Sequence, residues 1–371
     1  MKKKILFLIP NLKHGGAERV LVNLANNVDP SKYAVTVQTV FDIGVHRNAL
    51  VPHVRYLPGM KRQFRGNSHL FKLFSPRLLY KHFVREEYDV VISYLEGVAA
   101  RIISGCTDPN AKKVCWIHTE LMTPKAAALG FRSNEEAKIC YGCFDQIVAV
   151  SQQVGQQFSA NACGEVPVTV LYNTNETEQI REKATEVPDN PQFASDIPSV
   201  CAIGRINEVK GFDRLLVAHK RLLDDGIPHR VFILGTGEDQ AKLEQAAREL
   251  GVGDSFVMLG FCANPYQYLS RCDLFVCSSR REGFSTAVTE SLIVGTPVVN
   301  TNCSGAKELL GENDEYGLVV ENSEEGIYQG MRKMLSDPAL LAHYKEKARE
   351  RGSFFSRTET VRAVEEMLDN L

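Results

Sequence analysis

The sequence predicts an α/β protein built from two Rossmann-like, doubly wound parallel-sheet domains. Three observations point there. Short apolar runs alternate with helix-period segments from the first residues; many of those runs are apolar on both faces; and the alternation stops at a polar, proline-bearing stretch near the middle and then begins again.

In the first half, Ile5 to Pro10, Ala34 to Phe41, Asp89 to Leu95, Lys113 to His118, Gln146 to Ser151 and Val168 to Tyr172 read as strands. Amphipathic stretches at Ala17 to Val28, Pro76 to Glu86 and Ser133 to Cys143 read as the helices between them. The polar stretch from Asn173 to Ile197, with Pro188 and Pro191 and then Pro198, reads as an interdomain connection. It divides the chain into domains 1–177 and 178–357. Beyond it, Ser199 to Ile203, Arg230 to Leu234, Phe256 to Leu259, Leu274 to Ser278, Pro297 to Thr301 and Gly317 to Val320 form the second set of strands. Helical segments follow at Gly211 to Asp224, Asp239 to Leu250 and Thr286 to Val294, and Thr358 to Leu371 is a last amphipathic helix.

With 371 residues, 44% of them hydrophobic and 24% charged, the chain supports packed cores and exceeds one ordinary domain. Its 43 basic residues against 45 acidic ones leave a net charge of −2, which lacks the basic excess of a nucleic-acid binder. The halves differ: residues 1–177 hold 21 basic and 14 acidic side chains, the remainder 22 and 31. From Ile43 to Arg85 there is no Asp or Glu, while Arg47, Arg55, Lys61, Arg62, Arg65, Lys72, Arg77, Lys81 and Arg85 alternate with Phe64, Phe71, Phe74, Tyr80 and Phe83. No run approaches the roughly 18 apolar residues of a membrane span, and Ile5 to Ile9 is too short for a signal-peptide core, so a cytoplasmic protein is expected. The ten cysteines mostly sit in apolar runs and read as small buried hydrophobes in a reducing compartment. Cys140 and Cys143 have C-x-x-C spacing without a second pair, which favours buried helix cysteines over zinc or redox chemistry.

Four motifs carry chemistry. His14-Gly15-Gly16-Ala17-Glu18 opens a helix after the first strand, where bare backbone and helix-start amides suit an anion; a plain glycine turn is the competing use. Gly204-Arg205 to Lys210-Gly211 places two cations at a strand's carboxyl end, where doubly wound sheets bind ligands and a diphosphate would need countercharge. Gly235-Thr236-Gly237-Glu238 repeats the strand, glycine turn and helix, with a simple tight turn equally able to explain it. Glu282 to Glu290 sets one carboxylate in a loop and another about one turn into a helix whose start, Ser285 and Thr286, can receive phosphate oxygens. His118 ends a strand on the expected ligand side, and no Asp-x-Asp metal clamp occurs anywhere.

Together these residues resemble the retaining glycosyltransferases of family 4, which have the GT-B fold of two Rossmann-like domains facing a central cleft. The match spans nearly the whole chain, with Glu282 to Glu290 as the E-x7-E signature. The resemblance implies that the second domain binds a nucleotide sugar, with Arg205 and Lys210 on the diphosphate and Glu290 on the ribose. It places Glu282 on the donor sugar, Phe284, Ser285 and Thr286 beside the phosphates, Gly235 in the donor site and Phe261 by the nucleobase, where a plain core aromatic remains the alternative. His118 and Gly15-Gly16 would come from the first domain, and the final helix would cross back to it. Asn173-Thr174-Asn175-Glu176 departs from the family's usual Asn-Gly-Val-Asp.

The expected activity is retaining, metal-independent transfer of a hexose or N-acetylhexosamine from a UDP-sugar to a glycan or polyprenyl-diphosphate-linked acceptor, with no cofactor. The rivals are a nonhydrolysing sugar-nucleotide epimerase, a noncatalytic nucleotide-sugar-binding protein, and an NAD-dependent oxidoreductase. For the last, Asp42 follows the second strand but no G-x-G-x-x-G follows the first. Residues 61–85 are expected to meet an anionic membrane surface on the inner face of the cell membrane. There Ser75-Pro76 starts a helix carrying Arg77, Lys81 and Arg85, and Leu79, Phe83, Phe71 and Phe74 supply either an apolar flank or core packing.

Overall fold

The computed structural model describes residues 2–13, 15–61, 66–188, 193 and 197–371. His14 of the glycine motif, Arg62, Phe64 and Arg65 of the basic segment, and Pro191 of the connection lie outside them. Two compact units result, one of Met1–Asn175 with Arg357–Leu371 and one of Glu176–Ser356.

The first unit holds β1 (Lys3–Ile9), β2 (Tyr33–Thr39), β3 (Arg55–Leu57), β4 (Val90–Ser93), β5 (Lys112–Ile117), β6 (Gln146–Ala149) and β7 (Val168–Val170), ordered β3-β2-β1-β4-β5-β6-β7. The second holds β8 (Ser199–Ile203), β9 (Arg230–Leu234), β10 (Phe256–Gly260), β11 (Leu274–Cys277), β12 (Val298–Thr301) and β13 (Leu318–Val320), ordered β10-β9-β8-β11-β12-β13. Every pairing is parallel. Ile5 through Ile9 are fully buried, which explains why the central strands read as unbroken apolar runs. In each sheet the order reverses beside the first strand, at β1/β4 and at β8/β11. In doubly wound sheets the crossovers on either side of such a reversal lie on opposite faces, and ligands bind at the strands' carboxyl ends there.

The last helix, Arg357–Asp369, belongs to the first unit: Glu365 Oε1 accepts from the Asp29 amide at 2.6 Å, and Val361, Val364 and Leu368 are buried. No helix among the described residues is long and apolar enough to cross a membrane.

Two expectations need correction, and one open alternative is decided. The connection is not a plain polar linker, because it holds the helix Thr177–Lys183, whose Ile180 packs with Tyr266 and Ile293. Cys143 is exposed just beyond the helix Asn134–Tyr141, and Cys262 is half-buried; the other eight cysteines are buried and all ten are free thiols. Leu79, Phe83 and Phe71 are core residues, not an outer flank, since Leu79 and Phe83 lie four apart on the inward face of the helix Pro76–Phe83.

Candidate active site

In the second unit the chain leaves β8 through Gly204 and Arg205 into a 3₁₀ turn, Glu208–Lys210, capped by Asn207 Oδ1, which accepts from the Lys210 amide at 3.3 Å. Gly211 follows at φ +64, and a Cβ there would stand 2.1 Å from Ser278 O, so only glycine lets this loop lie against the end of β11. Ser278 Oγ donates to Lys210 O at 2.9 Å, and the Arg280 amide donates to Val209 O at 2.7 Å. Arg214 Nη2 donates to Ser278 O at 2.6 Å. These bonds bring Lys210 Nζ to 2.6 Å from Glu282 Oε1, the same oxygen that Ser279 Oγ donates to at 2.6 Å. Burial opposes the Lys210 charge, but the neighbouring Glu282 outweighs it and the ammonium's pKa is raised.

The loop then enters the helix Thr286–Val294. Ser285 Oγ caps it by accepting from the Val288 amide at 3.4 Å, and Thr286 stands partly exposed at the first helical position. Phe284 turns its ring inward against Phe355, with centroids 5.8 Å apart, which leaves its main chain as the part that can meet a ligand. Glu290 is buried and accepts from Tyr266 OH at 3.1 Å.

Arg205 is exposed and pairs with exposed Glu238, Nε to Oε2 at 3.1 Å, a contact worth little by itself. Gly235 and Gly237 have a packing reason to be glycine: Cβ atoms there would approach Gly204 O to 1.9 Å and Ile206 O to 2.0 Å. Phe261 is 65% exposed, which removes the core-aromatic alternative.

In the first unit, Gly15 caps the helix Gly16–Asn27 and Glu18 folds back over it, so that a Cβ on Gly15 would lie 1.9 Å from Glu18 Oε2. Burial raises the Glu18 pKa. His118 follows β5; its main chain donates to Glu96 Oε2 at 3.0 Å and its ring lies 4.8 Å from that of Tyr94. The residue is partly exposed, but Nε2 is sealed from solvent and has no hydrogen-bond partner among the described residues. Burial pushes the imidazole down to about 3, so the ring is neutral at pH 7. Asp42, which an NAD enzyme would keep for a ribose, is taken by Tyr56 OH at 2.8 Å and Arg47 Nη1 at 2.7 Å.

Sequence reasoning missed Ser279, Tyr266 and Arg214, and quoted Glu238 in its glycine motif without giving it a role. Ser279 had a local signal, a hydroxyl three residues before Glu282 at a strand end, and Arg214 stands four residues after Lys210; Tyr266 reaches Glu290 from a distant segment.

Glycosyltransferase Family 4 is the description matching residues 14–179, and Glycosyl transferases group 1 the one matching residues 183–351, so that the two together span most of the sequence. The chain belongs to glycosyltransferase family 4. Among curated relatives of this glycosyltransferase is the N-acetylgalactosamine-N,N'-diacetylbacillosaminyl-diphospho-undecaprenol 4-alpha-N-acetylgalactosaminyltransferase of Campylobacter jejuni, 36% identical over 195 residues. That match covers 52% of this chain and 51% of the relative, about half of each. The lipopolysaccharide core biosynthesis glycosyltransferase LpsE of Rhizobium meliloti is 26% identical over 348 residues, 91% of both chains. Among solved structures, Anabaena HepE in complex with UDP and glucose superposes over 100% of both chains with TM-score 0.80 at 20% identity. Sucrose-phosphate synthase from Thermosynechococcus elongatus superposes over 100% of this chain and 99% of its own with TM-score 0.81 at 16% identity. These last two likenesses bear on the fold, which is GT-B.

Proposed function

We propose that this family-4 enzyme is a retaining glycosyltransferase that moves a hexose or N-acetylhexosamine from a UDP-sugar to a hydroxyl of a glycan carried on a polyprenyl diphosphate. The observation that carries this reading is the Lys210–Glu282 pair at the β8/β11 reversal, followed directly by the Ser285-capped helix start. Breaking the bond between the sugar's anomeric carbon and the phosphate oxygen leaves growing negative charge on UDP. Lys210, Arg205 and the amides at residues 285–287 are groups of the right sign to receive it, in place of a metal. Glu282 then contacts the donor sugar's hydroxyls and Glu290 the ribose. Glu282 is not assigned as a nucleophile: its Oε1 already takes Lys210 and Ser279. The leaving phosphate takes the acceptor's proton as that oxygen attacks from the same face, which retains configuration. Gly15, Gly16, Gly235, Phe261 and His118 are assigned to this reaction on the family resemblance.

The acceptor class is supported by the diphospho-undecaprenol in the name of the Campylobacter jejuni relative. Release of nucleoside diphosphate, measured with and without polyprenyl-diphosphate glycan across a donor panel, tests the reading. Acceptor-dependent release of UDP is expected. Release indifferent to any acceptor, or an absorbance change of added nicotinamide instead, overturns it.

The same reading seats residues 61–85 on the anionic inner face of the cell membrane. Arg47 and Arg55, upstream of that segment, are paired with Asp42 and Glu86 at 2.7 and 2.6 Å. Among the described residues Lys72, Arg77, Lys81 and Arg85 make no ion pair and keep their charge for an anionic partner.

A further inference from the structure

Leu70, Leu73, Phe74 and Leu78 are 41%, 74%, 45% and 58% exposed. They crowd into nine residues spanning the helix Asn67–Lys72, a turn, and the start of the helix Pro76–Phe83. Their exposure is not a failure of packing. The same segment already turns Phe71, Leu79 and Phe83 into the core, where the Phe71 ring stands 5.9 Å from the rings of both Phe41 and Phe83. Large apolar side chains exposed together in so short a segment mark a contact surface.

The mount beneath them is rigid. Arg101, with its side chain 1% exposed, donates from Nη1 to Phe71 O at 2.9 Å, an oxygen that also takes the Phe74 amide at 3.2 Å, and from Nη2 to Phe74 O at 2.7 Å in the turn beyond the helix. Glu136 balances the guanidinium, accepting from Nε at 3.1 Å and Nη2 at 2.8 Å, and also takes the Arg132 amide at 2.6 Å. A buried cation thus fixes both sides of the turn that displays Leu73 and Phe74.

We infer that Leu70, Leu73, Phe74 and Leu78 form an apolar lip that enters the headgroup region of an anionic bilayer, with buried Arg101 as the residue that positions it. This rests on the membrane part of the proposed function and adds to it a salt-resistant component. The bilayer is favoured over a protein partner by charge: Lys72, Arg77, Lys81 and Arg85 lie within or just beyond the same segment, and no acid occurs from Ile43 to Arg85.

Co-sedimentation of the full chain with phosphatidylglycerol–phosphatidylcholine vesicles tests it, at low salt and at about 1 M salt, where the Debye length shrinks to about 3 Å. Wild type should bind at low salt and keep a measurable bound fraction at high salt. Leu73→Ser/Phe74→Ser/Leu78→Ser should lower partitioning about tenfold or more and erase the salt-resistant fraction, with an unchanged melting temperature because the three side chains are exposed. Lys72→Glu/Arg77→Glu/Lys81→Glu tests the electrostatic part separately. In Phe74→Trp the new indole should shift to the blue on vesicle binding. If wild type binds but the serine variant binds equally well and salt releases both, the lip is wrong while the membrane reading stands. If wild type fails to bind at low salt, both fall, and a protein partner becomes the use of this face.

Discussion

Lys210 Nζ and Glu282 Oε1 lie 2.6 Å apart although 72 positions separate the two residues. The contact exists because β8 and β11 are neighbours across the point where the strand order reverses, so the loops leaving them end side by side. Ser278 and Ser279, both buried at the end of β11, hold the two partners from below: one hydroxyl reaches Lys210 O, the other Glu282 Oε1. A diphosphate entering here would meet an ammonium already oriented, which lowers the reorganisation needed when charge develops.

Removing that ammonium should be costly to rate and mild on the fold. Lys210→Ala is expected to lower turnover by about 10²-fold or more, with a smaller effect on donor KM. Steady-state UDP release with circular dichroism as the folding control checks it. Turnover of the Arg205→Ala/Lys210→Ala double variant near that of wild type would contradict the assignment.

Glu290→Gln should weaken UDP itself, measured by titration calorimetry. Tyr266→Phe, which removes the hydroxyl 3.1 Å from the Glu290 carboxylate, should weaken it less, because the charge remains. Unchanged UDP affinity in Glu290→Gln would make that carboxylate structural.

Far from this site, His219 Nδ1 and His229 Nε2 share a hydrogen bond of 2.8 Å, with His219 Nε2 also 2.9 Å from Ser255 Oγ. Burial, and then the His229 charge, bring the His219 pKa down to about 3, and burial also lowers that of His229. In the unfolded chain a histidine titrates near about 6.5, so the unfolded state binds more protons between the two values. The stabilisation is present above that unfolded value and is lost as pH falls toward 3. Urea unfolding should show a loss of about 2 kcal/mol from His219 between pH 7 and pH 5. A His219→Gln/His229→Gln variant should show a flatter pH dependence over that range; an equal slope would contradict it.

Arg101→Ala removes the guanidinium bonds to the Phe74 carbonyl and to Glu136, which keeps only Arg132 as a cationic partner, and should destabilise the first unit by about 1–3 kcal/mol. Chemical denaturation checks this. A loss below about 1 kcal/mol would mean that water replaces the guanidinium.

The strands were legible because buried parallel strands are apolar throughout, and most ends fell within about two residues. Arg55–Leu57 escaped: it is three residues at a sheet edge and starts with an exposed arginine. The helix Pro338–Phe354 escaped too, although Asp337 before Pro338 is a readable start signal, its Oδ1 accepting from the amides of Ala339 and Leu340 at 3.0 Å. In the site, the positions of Lys210, Glu282 and Ser285 after strand ends could be read locally. The Tyr266–Glu290 bond could not, since it joins two helices with no shared period. In the basic segment the composition was plain, but the helix phase was not: Leu78 faces out where Leu79 and Phe83 face in.

The most direct test is the anomeric configuration of the product formed from an α-linked UDP-sugar and a polyprenyl-diphosphate glycan in the presence of EDTA, read by proton NMR. An α-linked product at undiminished rate is expected. A β-linked product, or one that forms only after manganese is added back, would contradict it.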